Sequence, residues 1–517
     1  MDKRLERILP RVQKPARYTG GEYNQIIKDK TKVDIRLAFC FPDTYEIGMS
    51  NLGMSILYHT MNSLDYVWCE RVYAPWGDMY EEMKKANIPL YALESGDALG
   101  EFDAIAFSIG YEMAFTTVLD MLDIPLRSAD RPNLLPIVMA GGTAATNAEP
   151  MTPFIDLFIV GEGEEVNNEL LALLHEAKLC GWSKHDFLVR AAQIGGIYVP
   201  SLYDVEYNED GTVKSYTAKD GAPERVTKRI VVDFDASPYP TAPIVPSTEV
   251  VHDRVSVELF RGCVRGCRFC QAGMLYRPTR EKDVEVLKQY AYKMLKSTGH
   301  EEISLSSLSS SDYSQLKELV NFLIDEFKGK GINISLPSLR IDAFSLDVME
   351  RVQDIKKSSV TFAPEAGSQR MRNVINKGLT EEDILGGAGQ AFDGGWNKVK
   401  LYFMLGLPTE TEEDMKEIAV LADKIARRYY EIPKDQRNGK CQITASSSFF
   451  IPKPFTPFQW APMYENTEYI ARAAIVKHAF QDQLNRKSLK YNWHDAEVTV
   501  LEGILARGDR KVGKLIE

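Results

Sequence analysis

Short apolar runs alternate with amphipathic segments along the first third of the chain. The runs VDIRLAFCFP, YVWCERVYAP, IPLYAL, DAIAFSIG, LPIVMAGG and DLFIVGEGE predict buried strands. Between several of them, MSILYHTMNSL, DMYEEMKKAN and TTVLDMLDI have the spacing of helices. This α/β alternation, with glycine-rich strand ends, predicts a doubly wound, Rossmann-like parallel sheet over residues 31–175. A polar, partly helical lead-in precedes it over residues 1–30.

The pattern changes over residues 176–247, which we assign to a connector. A helical piece is followed by two strand-like runs that flank Asn208–Gly211, a turn sequence typical of a β-hairpin. The segment SPYPTAPIVP then carries four prolines in nine residues. Such a density predicts a stiff, extended linker and a domain boundary.

Six further strands separated by helical segments are predicted after the linker. They span residues 254–260, 302–308, 332–337, 359–363, 398–404 and 442–450. Six β/α repeats predict a partial (β/α)6 TIM-type barrel over residues 248–465, with functional sites at the carboxyl ends of its strands. Residues 466–517 are predicted to form a helical C-terminal segment.

Composition and charge exclude several classes of protein. With 44% hydrophobic and 26% charged residues, the 517-residue chain is globular rather than disordered or fibrous. A formal net charge of −11 excludes a global attraction to nucleic acid or anionic membranes. No apolar run approaches the ~18 residues of a membrane span. The start MDKRLERILPRVQKP has no apolar signal core, so we expect a cytoplasmic protein.

Three of the seven cysteines form the strongest chemical signal in the chain. Cys263, Cys267 and Cys270 have the spacing C-x3-C-x2-C and follow the first predicted barrel strand, whereas the other four are scattered. Three thiolates on a tight loop can bind three irons of a 4Fe–4S cluster and leave the fourth iron open. Zinc is the competing interpretation, but a structural zinc site needs four ligands. No second cysteine pair exists, and His252 precedes the strand.

The segment RGCVRGCRFCQAG resembles the cluster motif of the radical S-adenosylmethionine (radical SAM) superfamily, including the aromatic residue Phe269 before the last cysteine. The resemblance implies that S-adenosylmethionine (SAM) binds the open iron. An electron from the cluster then cleaves SAM to methionine and a 5′-deoxyadenosyl radical, with a reductant such as flavodoxin or ferredoxin. Arg261, Arg265 and Arg268 would offset the charge of the cluster or only solvate the loop.

Later strand ends resemble the SAM-binding landmarks of the superfamily. The resemblance places serines of SSLSSSDY at the methionine amino group, SLPSLRID at its carboxylate, TFAPEAG at the ribose and MLGLPTET beside the adenine, where Phe269 also lies. Helix caps, a surface ion pair and a helix-start acid are the ordinary alternatives. The residues so assigned are Phe269, Ser309, Ser310, Ser338, Arg340, Glu365 and Gly406.

The first predicted sheet resembles the cobalamin-binding domain found in one branch of the superfamily. Such domains carry Asp-x-His-x-x-Gly after the first strand, and the histidine ligates cobalt. Here the frame is kept and tyrosine replaces histidine, so cobalamin would bind without that ligand, or the domain is vestigial and only shapes the substrate cavity. The residues assigned to cobalamin are Asp43, Tyr45, Gly48, Gly141, Gly142, Gly161 and Glu162.

The leading hypothesis for function is cobalamin-dependent methylation of an unactivated carbon. The alternatives are a non-methylating radical SAM enzyme, such as one catalysing a rearrangement, and, from another class, a cofactor-sensing or scaffold protein. The substrate class stays open among RNA, peptide, small molecule and lipid. In PKPFTPFQW, Lys453 and Trp460 would face the substrate, or the loop would cover the bottom of the barrel. Many members of the branch continue beyond a RGDR-type segment, so the resemblance implies that a C-terminal portion is either missing here or supplied by a separate partner protein.

Overall fold

The structure, a computed structural model, describes residues 3–336 and 360–517. The chain divides into two compact units. The first runs to Asp253 and includes Tyr292–Gly299 and Gly508–Glu517. The second consists of Arg254–Ala291 and His300–Arg507. Within the described ranges, no helix has the length and apolar character needed to cross a membrane.

The first unit is built on a six-stranded sheet in the order β2-β1-β3-β4-β5-β6. Strands β1 to β5 are parallel, and β6 pairs with β5 in the antiparallel direction. The strand order reverses between β1 and β3, the point at which doubly wound sheets bind ligands beyond the carboxyl ends of their strands. The six strands are Ile35–Phe41 (β1), Val67–Tyr73 (β2), Ala104–Ser108 (β3), Ile137–Gly141 (β4), Leu157–Ile159 (β5) and Ile197–Tyr198 (β6).

Helices pack their apolar sides on this sheet, as the periodicity predicts, so the doubly wound fold is confirmed. The Asn51 side chain accepts a hydrogen bond from the Met54 amide and caps the start of the helix Leu52–Asn62. Gly181 adopts a left-handed backbone conformation and ends the helix Gly163–Cys180. The run IPLYAL is not a strand, because Pro89 lacks an amide donor and the run makes only an isolated bridge from Tyr91 to Ala98. The helices are Lys3–Ile8 (α1), Tyr45–Met49 (α2), Leu52–Asn62 (α3), Gly77–Ala86 (α4), Phe115–Met121 (α5), Gly163–Cys180 (α6) and Lys184–Ala191 (α7).

The connector belongs to the first unit. The predicted hairpin is present as Tyr203–Tyr207 (β7) and Val213–Ala218 (β8), which pair in the antiparallel direction. The Gly211 amide donates to the Asn208 carbonyl at 3.0 Å and closes the turn between them. Further along, Arg229 forms a parallel bridge with Gly161 at the end of β5.

Two parallel sheets and a short hairpin form the second unit. The sheets have the orders β13-β12-β9 and β14-β15-β16-β17, and β10 pairs with β11. All six predicted barrel strands are present, which confirms the partial barrel. The strands are Val255–Glu258 (β9), Phe260–Arg261 (β10), Arg280–Glu281 (β11), Glu302–Ser306 (β12), Asn333–Ser335 (β13), Val360–Glu365 (β14), Lys398–Leu405 (β15), Gln442–Phe449 (β16) and Leu489–Trp493 (β17).

The C-terminal segment differs from its prediction in two respects. It contains β17, a seventh parallel strand, in addition to helices. The prediction missed this strand although Leu489, Tyr491 and Trp493 alternate with Lys490 and Asn492, a pattern typical of a half-buried strand. Residues 508–517 belong to the first unit, where the Arg510 side chain donates to Glu149 Oε2 at 2.7 Å. The helices after Asp253 are Ala272–Leu275 (α8), Val284–Thr298 (α9), Leu316–Phe327 (α10), Gln369–Val374 (α11), Glu381–Asp393 (α12), Glu412–Tyr430 (α13), Asn466–Gln481 (α14), Ala496–Arg507 (α15) and Gly513–Ile516 (α16).

Candidate functional site

The cysteine loop begins where β10 ends. Gly262 has φ +89°, and a Cβ atom there would lie 2.8–2.9 Å from backbone atoms of residues 276–279, so only glycine lets the chain turn here. Cys263, Cys267 and Cys270 follow, and all three are half-buried. The Gly273 amide donates to the Cys270 Sγ at 3.3 Å. The loop therefore presents three thiols at the carboxyl end of β9.

The thiols suit an iron–sulfur cluster by their chemistry, because thiolates are the usual protein ligands of iron in such clusters. Burial raises the pKa of the Cys270 thiol above its ordinary value, so metal binding there must displace a proton. Within residues 3–336 and 360–517, no three His, Cys, Asp or Glu side chains are already gathered as a metal site.

Two arginines of the loop form ion pairs that hold it in place. Arg261 donates to the Glu258 carboxylate at 2.9 and 3.0 Å, and Arg265 forms an ion pair with Asp312. The Arg268 amide donates to the Ile375 carbonyl at 3.0 Å. On the other side of the loop, the Asn376 amide group donates to the Gly266 carbonyl at 2.8 Å. The cysteine loop is thus tied to the turn that follows α11.

Glu365 and Lys377 meet beside this loop. The Lys377 Nζ lies 3.2 Å from Glu365 Oε1, and both side chains are largely buried. Glu365 has φ +69° at a register shift in β14, a left-handed conformation that is strained for a residue with a long side chain. Burial raises the pKa of the Glu365 carboxyl, although Lys377 opposes this effect. Strain of this kind is found mainly at functional sites.

Lys377 also lies near the last cysteine. Its Nζ is 6.0 Å from the ring centroid of Phe269. Burial raises the pKa of Cys270, and the positive charge of Lys377 partly opposes this effect. The Phe269 ring packs against an apolar cluster that includes Met371, Met404 and Phe450. The structure therefore brings Phe269, Cys270, Glu365 and Lys377 together. Sequence reasoning missed Lys377, although it stands twelve residues after Glu365 in FAPEAGSQRMRNVINKG.

The predicted serines differ in their contacts. The Ser310 hydroxyl donates to the Leu305 carbonyl at 3.1 Å and so holds the end of β12. The Ser309 hydroxyl is buried and has no hydrogen-bond partner among the described residues. A buried hydroxyl without a partner is costly, which points to a ligand atom at this position. Ser338 and Arg340 lie outside the described residues.

Gly406 directly follows β15 and has φ +84°. A Cβ atom at this position would lie only 2.7 Å from the Tyr469 ring, so the turn requires glycine. Its amide donates to Glu410 Oε2 at 2.7 Å. Burial raises the pKa of Glu410 to about 7, although Arg472 lies 3.2 Å away. Glu410 is a second residue that sequence reasoning missed, and its contacts show that it holds the turn after β15.

The loop PKPFTPFQW follows β16 and therefore lies at the carboxyl end of the strands, not at the barrel bottom. The Gln271 side chain donates to the Pro454 carbonyl and the Phe458 amide to the Arg268 carbonyl, each at 3.3 Å, which joins this loop to the cysteine loop. Lys453 forms an ion pair with Glu502 at 2.7 Å. Trp460 is 84% exposed. The interpretation as a bottom cover is wrong because it ignored the strand direction.

In the first unit, Tyr45 is directed into the protein interior. Its hydroxyl donates to Glu22 Oε1 at 3.1 Å and accepts from the Ser247 amide at 3.2 Å, and only 1% of the residue is exposed. Its ring meets the Tyr73 ring edge-on, with the centroids 5.5 Å apart. Burial raises the pKa of Tyr45. The phenol is therefore a neutral, fully bonded group rather than a free metal ligand.

The other residues assigned to cobalamin lie at the same edge of the sheet, after β1, β4 and β5. A Cβ atom on Gly48 would lie 2.2 Å from the Tyr73 ring, and one on Gly142 would lie 2.6 Å from the Ile109 carbonyl oxygen. Gly141 has room beside Ile159.

The Asp43 carboxylate accepts from the Thr44 amide at 2.7 Å. Gly161 and Glu162 contact the connector, where the Glu162 carboxylate accepts from the Val231 amide at 2.6 Å. Much of this edge is thus used for packing by the chain itself.

Two family models match the chain. One describes the N-terminal region of radical SAM proteins and covers residues 53–200, and the other describes the radical SAM superfamily and covers residues 257–422. The chain belongs to the radical SAM superfamily. It is an enzyme of this superfamily, its cofactors include a 4Fe–4S cluster and SAM, and it needs a reductant and a substrate.

Known proteins extend the similarity over most of the radical SAM chain. An uncharacterised protein of Methanocaldococcus jannaschii is 28% identical over 481 residues, 93% of this chain and 90% of the relative. The structure of the radical SAM methyltransferase TsrM from Kitasatospora setae, with cobalamin and a [4Fe–4S] cluster bound, has a TM-score of 0.53 at 12% identity. That match covers 82% of this chain and 76% of TsrM.

A second solved structure is also similar in fold. It is the cobalamin-dependent SAM radical enzyme OxsB with aqua-cobalamin and SAM bound, which has a TM-score of 0.55 at 15% identity. The match covers 86% of this chain and 62% of OxsB. At these identities the two structures show a common fold.

Proposed function

We propose that this radical SAM enzyme methylates an unactivated carbon and uses cobalamin to do so. The observation that carries the proposal is the meeting of the cysteine loop with the strained Glu365 and with Lys377 at the strand ends. The proposal is supported by the doubly wound sheet that precedes the barrel and by the similarity in fold to TsrM and OxsB, whose structures contain cobalamin.

Cys263, Cys267 and Cys270 are the proposed cluster ligands. When bound, the cluster supplies the electron that cleaves SAM. The chain itself keeps the loop in place through Arg265, which pairs with Asp312, and through Asn376, which binds the Gly266 carbonyl.

Four groups are proposed to bind SAM. The Glu365 carboxylate accepts from the ribose hydroxyls, and the Lys377 ammonium faces the SAM carboxylate. The buried Ser309 hydroxyl donates to the methionine end, which gives it the partner it otherwise lacks. Phe269, held by its apolar neighbours, forms a wall for the adenine, with the turn at Gly406 beside it.

Cobalamin is proposed to bind at the carboxyl edge of the first sheet, where the strand order reverses between β1 and β3. When bound, it supplies the methyl group. Tyr45 does not act as a ligand to it in this proposal, because the phenol is buried and bonded to Glu22 and Ser247.

A non-methylating radical SAM reaction is the second candidate, favoured by one observation. The chain itself fills part of the edge where cobalamin would bind: the Tyr73 ring packs directly against Gly48, and the connector contacts Gly161 and Glu162. If these contacts exclude cobalamin, the first unit only shapes the substrate cavity.

The deciding experiment measures iron, sulfide and cobalt in protein purified without oxygen from cells supplied with cobalamin. About four irons for each chain with one cobalt supports the methylation proposal. About four irons without cobalt refutes the cobalamin part and leaves the second candidate.

A matched pair of variants tests the cluster ligands. Cys267→Ala is expected to abolish the release of methionine from SAM under reducing conditions, because one iron loses its ligand. Cys180→Ala removes an exposed, single cysteine and is expected to leave cluster content and SAM cleavage unchanged. Normal cleavage by Cys267→Ala would contradict the assignment.

Flavodoxin or ferredoxin is the proposed reductant, and the need for a low-potential electron favours a cytoplasmic location. A separate C-terminal partner protein stays a prediction.

A further inference from the structure

The four-stranded sheet of the second unit has two unlike faces. Helices α13 and α14 cover one face, where side chains such as Leu401, Phe403 and Ile443 are buried. The opposite face is polar and consists of Lys398, Lys400, Tyr402, Gln442, Thr444, Ser446, Lys490 and Asn492. In a complete barrel the inward face is filled with branched apolar side chains. This inner face is instead partly open, with Lys490 and Asn492 exposed and 37% of Tyr402 accessible.

The strand register aligns the polar residues in rows. Lys400 is paired with Thr444, and Thr444 is paired with Lys490, so the two lysines stand two strands apart on one row. Neighbouring strands are about 4.8 Å apart, which places the two Cα atoms about 10 Å from each other. Side chains as long as lysine can converge across that distance. In the next row towards the strand ends, Tyr402 is followed by Ser446 and Asn492.

Neither lysine is neutralised within the part of the chain that the structure describes. No ion pair of the described residues includes the half-buried Lys400 or the exposed Lys490, whereas Lys184, Lys377 and Lys453, which are buried or half-buried, each have a carboxylate partner. The Lys400 Nζ lies 4.7 Å from the centroid of the Tyr402 ring. Together with Lys398 on the same face, the two lysines give it three positive charges beside hydroxyl and amide groups, an arrangement suited to an anion.

We propose that this face binds an anionic group of the substrate, a carboxylate or a phosphate. The inference rests on the proposed function, since it places the substrate inside the barrel below the cluster site. Lys400 precedes the end of β15 at Leu405 by five residues, about 17 Å along the strand. An extended lysine side chain spans about 6 Å of this distance. The reacting carbon of the substrate, at the strand ends, is therefore on the order of 10 Å from the anionic group that the lysines bind. The substrate is thus an elongated molecule with an anionic end.

The test measures binding of two probes, pyrophosphate and glutarate, to the full-length protein by calorimetry at low ionic strength. We expect Lys400→Met and Lys490→Met each to weaken binding at least tenfold, and Lys400→Arg to retain most of it. Lys434→Met removes one exposed lysine from the loop after α13 and is expected to change nothing. Preference for pyrophosphate would indicate a phosphate-bearing substrate, and preference for glutarate a carboxylate.

Absence of binding to the wild-type protein, or equal binding by Lys400→Met and Lys434→Met, would overturn the proposal. Circular dichroism of each variant establishes that it is folded. Anion binding does not require the cluster, so Cys267→Ala should still bind the probes. Loss of anion binding in the lysine variants, with SAM cleavage intact in the absence of substrate, separates this inference from the proposed function.

Discussion

The burial of Tyr45 leads to a prediction that can be worked out from its contacts. In Tyr45→Phe, the Glu22 carboxylate loses a hydrogen bond of 3.1 Å. Glu22 is fully buried and keeps only the Arg71 guanidinium, at 2.9 and 3.2 Å. Loss of a hydrogen bond to a buried charged group costs about 2 kcal/mol. The Ser247 amide lies near the surface, where water can replace the hydroxyl, so it contributes little.

The assay is thermal unfolding of the full-length protein, followed by circular dichroism. In a unit of this size, each kcal/mol lowers Tm by about 2–4 °C, so Tyr45→Phe should lower the Tm of the first unit by about 4–8 °C. Tyr80→Phe makes the same chemical change on the exposed side of α4 and should not change Tm.

A histidine at the same position tests the role of the site towards cobalamin. In Tyr45→His, the shorter side chain should stay beside Tyr73 and lower Tm further, because it removes the hydroxyl that donates to Glu22 and also opens a cavity. The absorption spectrum of bound cobalamin should match that of the wild type. A spectrum shifted by a nitrogen ligand, or an unchanged Tm in Tyr45→Phe, would refute the reasoning.

Three further predictions follow from buried charges. Because burial raises the pKa of Glu410 from 4.5 to about 7, its stabilising neutral form is present below pH 4.5 and is lost as pH rises through 7. Tm should therefore fall less between pH 5 and pH 8 in Glu410→Gln than in the wild type, and an equal fall would contradict this. Arg510→Ala removes contacts with Glu149 and Tyr198 and should destabilise the end of the chain by about 1–3 kcal/mol, so that limited proteolysis trims residues 508–517 first. Glu365→Gln should weaken SAM binding about tenfold, measured by calorimetry under anaerobic conditions, with the exposed Glu413→Gln as the control; unchanged affinity would exclude the ribose contact.

Local patterns in the sequence predicted most of the strands and the position of the cysteine loop. The alternation of apolar and polar positions predicts β1, β3, β4 and the six barrel strands, because strand and helix periods are properties of neighbouring residues. The spacing of Cys263, Cys267 and Cys270 likewise predicts a metal-binding loop, since three thiols within eight positions share one turn of chain whatever surrounds them. The resemblance to the superfamily likewise pointed to Glu365 and Gly406 as short motifs at strand ends, and their roles towards SAM stay predictions.

Contacts between distant parts of the chain decided what the sequence by itself did not determine. From the sequence, Tyr45 stands where related domains have a metal-binding histidine. In the structure its hydroxyl is bonded to Glu22 and to Ser247, which is 202 residues away. Lys377 acquires a role only beside Glu365 and Phe269.

The same limit explains why the open polar face of the four-stranded sheet was not predicted. Lys400 and Lys490 become neighbours only through the register of three strands, with Thr444 between them. The sequence records which groups are present and their local periodicity. Only the tertiary structure determines which partner satisfies each buried polar group and which charges are left without one, because those partners are supplied by residues far away in the chain.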